Sequence, residues 1–162
     1  MKLIDIKYND VRKAKSLSLD LGEINNSITK GKGNMYGFLG ELMTANFLGV
    51  DLSNTYDYDI IYKGKKIDVK TKKVSTEPKP FYECSIAKLN THQRCDVYVF
   101  ARVLKDMSKG WLLGYLSKED YFKEANFLKK GEIDPSNNFT VRADCYNIPI
   151  SALRETIKGE DR

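Results

Sequence analysis

The residues most able to do chemistry in this 162-residue chain lie in "YDYDIIYKGKKIDVKTKK". Ile67, Val69 and Thr71 alternate as a β-strand does, which sends Asp68, Lys70 and Lys72 together to the opposite face. "YDYDIIY" reads as a second strand, with Lys63 and Gly64 in the turn between them. That turn pairs Tyr62 with Lys65, Ile61 with Lys66, Ile60 with Ile67 and Asp59 with Asp68. It gathers Tyr58, Ile60, Tyr62, Ile67 and Val69 on one face, whereas a one-residue slip would separate Ile60 from Ile67. Asp59 and Asp68 then stand opposite each other with Cβ atoms about 5 Å apart. Two like charges so placed destabilise a hairpin unless something compensates them. A divalent cation does so, since Mg²⁺ prefers oxygen ligands and is held by one or two carboxylates together with phosphate and water. Lys70, two residues on, is placed to position or deprotonate an attacking water, or to neutralise charge that develops on phosphorus.

The elements that must position these groups follow from the flanking sequence. "MYGFLGELMTANFLGV" is a helix, with Asn34 as a cap, Leu39, Leu42, Met43, Phe47 and Leu48 as its apolar positions, and Gly49 at its end. Gly37, Glu41 and Thr44 share one face of it. Two interior glycines each cost about 1 kcal/mol relative to alanine, which a close approach by a strand or ligand would explain. Before it, Asn9 or Asp10 caps a short basic helix, and "GEINNSITKGKGN" reads as a loop. After the hairpin, "FYECSI" is a strand, "AKLNTHQRC" holds a short helix, and "DVYVFARVL" and "GWLLGYL" are buried strands. "SKEDYFKEANFLKKG" is a helix opened by a Ser117–Asp120 capping box and closed at Gly131. "DPSNN" is a turn, "FTVRADCYNIPI" a strand, and a short helix begins at Ser151. This order predicts one α/β domain with a central mixed β-sheet flanked by helices. Its core spans about 34–116, between a helical extension over 1–33 and a helix and strand over 117–162.

Asp59, followed by Asp68-Val69-Lys70, resembles the signature of the PD-(D/E)xK, or restriction-endonuclease-like, nuclease superfamily. Tyr58 stands where that name has proline. The helical segment with Glu41 resembles the glutamate-bearing helix that precedes the hairpin in members, and Gln93 resembles a glutamine found after the third strand. The chain order resembles the αβββαβ core, a helix and three antiparallel strands, then a helix and further strands. The whole is similar to small phage-encoded nucleases of this group. The resemblance implies that Glu41, Asp59, Asp68 and the Val69 carbonyl hold Mg²⁺ or Mn²⁺, that Lys70 is the catalytic lysine, and that Gln93 lies near the site. It implies hydrolysis of phosphodiester bonds with water as nucleophile and DNA as substrate. Endonuclease is taken ahead of exonuclease, and a homodimer stays open.

The remaining residues limit the alternatives. His92 is the only histidine, which excludes zinc deaminase and HExxH chemistry. Cys84, Cys95 and Cys145 are widely spaced, so neither a disulfide framework nor a cysteine zinc site is expected. No apolar run approaches a membrane span and no secretory signal opens the chain, which places the protein in the cytoplasm, that of the host for a phage product. The net charge of +5 is compatible with a polyanionic partner without requiring one. Asp57 rivals Asp59, since it points to the same face opposite Lys70. Lys30, Lys32, Lys72, Lys73 and Arg94 are candidate phosphate contacts, with a solvated charge the commoner role for each. Trp111 is expected in the core, and most of the ten tyrosines in the core or on a sheet face. A non-catalytic nucleic-acid-binding protein and a protein-interaction module are the rival readings.

Overall fold

A computed structural model describes residues 1–21, 34–53, 55–155 and 157. The elements run β1 (Lys2–Asp5), α1 (Tyr8–Leu21), α2 (Asn34–Leu48), β2 (Ile60–Tyr62), β3 (Lys65–Val74), β4 (Glu83–Ala87), β5 (Val97–Leu104), β6 (Lys109–Ser117), α3 (Lys118–Glu124), β7 (Asn126–Leu128) and β8 (Cys145–Pro149). Five strands form a mixed sheet in the order β1-β6-β5-β3-β2, and β4-β8-β7 form a smaller antiparallel one. The protein is a mixed α/β fold.

The strand β3 organises the site because its two faces do different work. Ile67 and Val69 join Leu39, Leu42, Met43 and Leu48 of α2 in one apolar cluster. Asp68, Lys70 and Lys72 pair along the parallel strand β5 with Tyr98, Phe100 and Arg102. Tyr98 and Phe100 belong to a second cluster with Cys84 and Ile86 of β4, Trp111 and Tyr121. Strand β5 is thus covered on both sides, which is why its sequence is a nearly continuous apolar run. The helix α2 lies against β3 so closely that a Cβ on Gly40 would come 1.8 Å from Thr71 Oγ1. That contact accounts for one interior glycine; at Gly37 nothing lies within 4 Å.

Several expectations need correction. The N-terminal segment is more than a helical extension, because β1 forms an edge of the main sheet against β6, Leu3 facing Trp111. The helix there starts at Tyr8, ahead of Asn9 and Asp10. The 22–33 loop, with Lys30 and Lys32, lies outside the described residues. Strand β4 does not continue the hairpin as a third antiparallel strand: it joins β8, and β5 takes the place beside β3 in parallel. The short helix before β5 is one 3₁₀ turn, Lys88–Asn90. Ser117 Oγ does cap α3 by accepting from the Asp120 N–H at 3.0 Å, yet the helix ends at Glu124 rather than Gly131. Asn126–Leu128 instead pairs with β8, a strand whose described extent is Cys145–Pro149 and which is followed by a 3₁₀ turn at Ile150–Ala152. Tyr58 packs against the second cluster and not beside Ile60, because the chain leaves strand geometry before β2. The three cysteines are free and buried, and Trp111 is in the core.

A candidate active site of opposed carboxylates and a lysine

The hairpin register is the expected one: Ile60 faces Ile67, Ile61 faces Lys66 and Tyr62 faces Lys65. Lys63 and Gly64 both take positive φ, 48° and 75°, the left-handed pair a two-residue type I′ turn requires. The expected pairing of Asp59 with Asp68 does not follow, because the regular register ends at Ile60: the Asp59 N–H donates at 2.9 Å to the carbonyl of Ile67, the residue that already faces Ile60. The Asp59 side chain then replaces the missing strand: Oδ2 accepts the Val69 N–H at 2.7 Å. The N–H and C=O of one strand residue project to the same edge, so the Val69 carbonyl also faces Asp59 beyond the end of the paired strand.

Asp68 is 4 % exposed. Its Oδ2 lies 2.6 Å from Lys70 Nζ, yet this buried oxygen accepts no hydrogen bond of good geometry. Lys70 Nζ donates to Gln93 Oε1 at 2.8 Å and lies 6.0 Å from the centre of the Tyr98 ring. Gln93 is itself fixed, donating from Nε2 to the Tyr56 carbonyl at 3.2 Å and accepting at its own carbonyl from Lys118 Nζ. It stands after the 3₁₀ turn rather than on a helix, so its place beside Lys70 comes from the connection into β5.

The carboxyl groups repel one another. Although Glu41 and Asp59 each keep some exposed surface, their acid groups lie inward. Burial first, then the charges of Asp59 and Asp68, raise the Glu41 carboxyl from 4.5 to about 9, with Lys70 opposing. Burial and the Asp68 charge raise Asp59 from 3.8 to about 7, against the pull of the Val69 N–H and Lys70. The Asp68 side chain adds a further, smaller rise. Glu41, from α2, is therefore within electrostatic reach of both aspartates and the lysine. The expected residues Glu41, Asp59, Asp68, Lys70 and Gln93 share one locality. Asp57 does not rival Asp59 there, because its Oδ1 is engaged by the Arg94 N–H at 3.1 Å. Among the described residues no three His, Cys, Asp or Glu side chains stand in ligand geometry.

No protein-family model and no curated protein matches the chain. What the site can do must be read from its own groups.

Two participants escaped the sequence reading. Lys118 holds the Gln93 carbonyl, and Arg102 is a cation only 4 % exposed on β5, along the same face as Lys70 and Lys72. The second had a visible signal, a lone arginine inside the apolar run "VYVFARVL". His92 and Arg94 are exposed, and Lys73 lies 5.4 Å from the centre of the Tyr36 ring. Among the described residues no helix is long and apolar enough to cross a membrane.

Proposed function

We propose that the protein is a metal-dependent nuclease of the PD-(D/E)xK type that hydrolyses phosphodiester bonds of DNA. The observation that carries this reading is a lysine held 2.6 Å from Asp68 and 2.8 Å from a glutamine, with the carboxylate of Asp59 bound to the main chain of Val69, between Asp68 and Lys70. Hard oxygen donors gathered where they repel one another, with a buried Asp68 oxygen lacking a hydrogen bond, suit Mg²⁺ or Mn²⁺. Asp59, Asp68, Glu41 and the Val69 carbonyl would hold the ion. When bound, it would supply Lewis acidity toward the phosphate and lower the pKa of water.

The chain's own residues account for the rest. Lys70 brings a positive charge to the place where negative charge grows on the phosphoryl oxygens. Gln93 orients it, so the ammonium need not search among rotamers. Asp59 ties the loop before β2 to β3 through the Val69 N–H, which fixes the spacing of the two carboxylates. Part of the restriction-endonuclease-like arrangement supports this reading: α2, the β2–β3 hairpin and β5 occur in that order.

A second reading, a non-catalytic nucleic-acid-binding protein, draws on the absence of a three-donor ligand group among the described residues. Cleavage of end-labelled single-stranded, duplex, flapped and four-way-junction DNA with Mg²⁺ or Mn²⁺ separates the two. The nuclease reading expects cutting that Asp68→Asn abolishes. Binding without cutting of any substrate by the unaltered protein would sink it.

A further inference from the structure

Beyond the carboxylates, the same face of β3 leads into a second feature. A cavity of about 170 Å³ is lined by Lys70, Thr71, Lys72, Ser85, Phe100 and Arg102. Three of the six are cations. At about 30 Å³ per water the space holds a handful of waters, enough for a phosphate group and too little for a nucleoside. Lys70 and Lys72, alternate residues on one strand face, are about 7 Å apart along the strand.

The charges here are unequally matched. Lys70 has Asp68, and Lys72 has the Glu83 carboxylate. Glu83 is further engaged by Asn137, whose Nδ2 donates to Oε2 at 3.1 Å. Arg102 has no carboxylate within ion-pair distance among the described residues. Its guanidinium donates to two main-chain carbonyls, those of Glu83 and, at 3.5 Å, Ala101. Burial works against its charge, and the nearby Glu83 carboxylate, itself paired with Lys72, offsets this only in part. The bland account is that Arg102 ties β4 to β5. A neutral donor would serve for that, however, and Arg102 is placed to neutralise an anion in the cavity.

We propose that Arg102 and Lys72, with Ser85, form a subsite for a second phosphate of the nucleic acid strand, next to the phosphate at Asp68 and Lys70. The source of that phosphate, a DNA strand, rests on the nuclease reading; the anion preference of the cavity does not. The phosphate is either an internal diester of the strand or a terminal 5′-phosphate, and both present the same anionic oxygens. Ser85 is exposed, so a carboxylate introduced there would enter the cavity without disturbing the core.

The test is binding of a short 3′-labelled single-stranded oligonucleotide, with and without a 5′-phosphate, by fluorescence anisotropy in Ca²⁺ across a series of salt concentrations. Lys72→Gln and Ser85→Glu should each weaken binding roughly fivefold at low salt and flatten the slope of log affinity against log salt by about 0.7. A loss confined to the phosphorylated strand assigns the cavity to a 5′-phosphate, and an equal loss with both strands assigns it to an internal one. A purely structural role would lower the melting temperature of Lys72→Gln and leave the salt slope of the folded protein unchanged, which would overturn the proposal. So would wild-type affinity and slope in Ser85→Glu, or no binding of either strand. If the slope changes appear while the unaltered protein cuts nothing, the subsite stands and the nuclease reading falls.

Discussion

Gln93 Oε1 accepts a hydrogen bond from Lys70 Nζ at 2.8 Å, across a gap of 23 residues in the chain. The same ammonium touches Asp68, so the amide and the carboxylate together set where the positive charge sits. Gln93→Ala is expected to leave the fold intact and lower the cleavage rate by about 10- to 100-fold, because the lysine keeps its charge and loses its direction. Single-turnover cleavage read beside a circular dichroism spectrum checks this. An unchanged rate would reduce Gln93 to a structural residue.

Lys70 also offsets the acids around it, and this predicts an asymmetry between two variants. Lys70→Met leaves Asp68 buried beside Glu41 and Asp59 with no cation, at a cost of about 3 kcal/mol in EDTA. Asp68→Asn removes one of the repelling charges and should cost clearly less. Urea denaturation of both proteins in EDTA would show the order, and a less stable Asp68→Asn would contradict it.

The raised acids make stability depend on pH in a definite direction. Asp59 and Glu41 are raised to about 7 and about 9, so the folded state binds their protons more tightly than the unfolded chain does. The stability this contributes is full below pH about 4, where both states are protonated. It is lost as pH rises through the two folded values. Melting temperature in EDTA should therefore fall between pH 5 and pH 9, and Glu41→Gln or Asp59→Asn should flatten the decline. Mg²⁺ should restore stability most at the alkaline end, where the acids are ionised. A flat profile in EDTA would show that burial and the neighbouring charges do not raise these acids.

The two interior glycines of α2 should respond oppositely to alanine. Gly37→Ala meets nothing within 4 Å and should stabilise the protein by about 1 kcal/mol. Gly40→Ala drives a methyl into Thr71 and should destabilise it by about 1–3 kcal/mol. Thr71 Oγ1 is buried there with no hydrogen bond, so Thr71→Val should be neutral or stabilising. Chemical denaturation of the three variants measures all of this.

The hairpin was legible in the sequence because its constraints are local. Alternation in "KKIDVKTKK", an apolar pair at Ile60 and Ile67 and a turn of two residues admit one register, which sets Asp68 and Lys70 on one face, while Asp59 meets Ile67 and Val69 instead of pairing with Asp68. The buried run of β5 and the Ser117 cap of α3 were visible for the same reason. The end of α3 was not: "NFLKK" continues a helical pattern, and its pairing with β8, distant in sequence, overrode that preference.

Sequence alone thus determined which side chains share one strand face, since side-chain direction in a strand depends on position parity and little else. Tertiary structure alone decided what meets that face. It placed β1 against β6, turned β4 away to β8, aligned Arg102 with Lys72 and brought Gln93 to Lys70. Each of these joins segments far apart in the chain. Nothing in the local pattern distinguishes such a partner from other segments of equal polarity, so the choice falls to how the whole sheet packs.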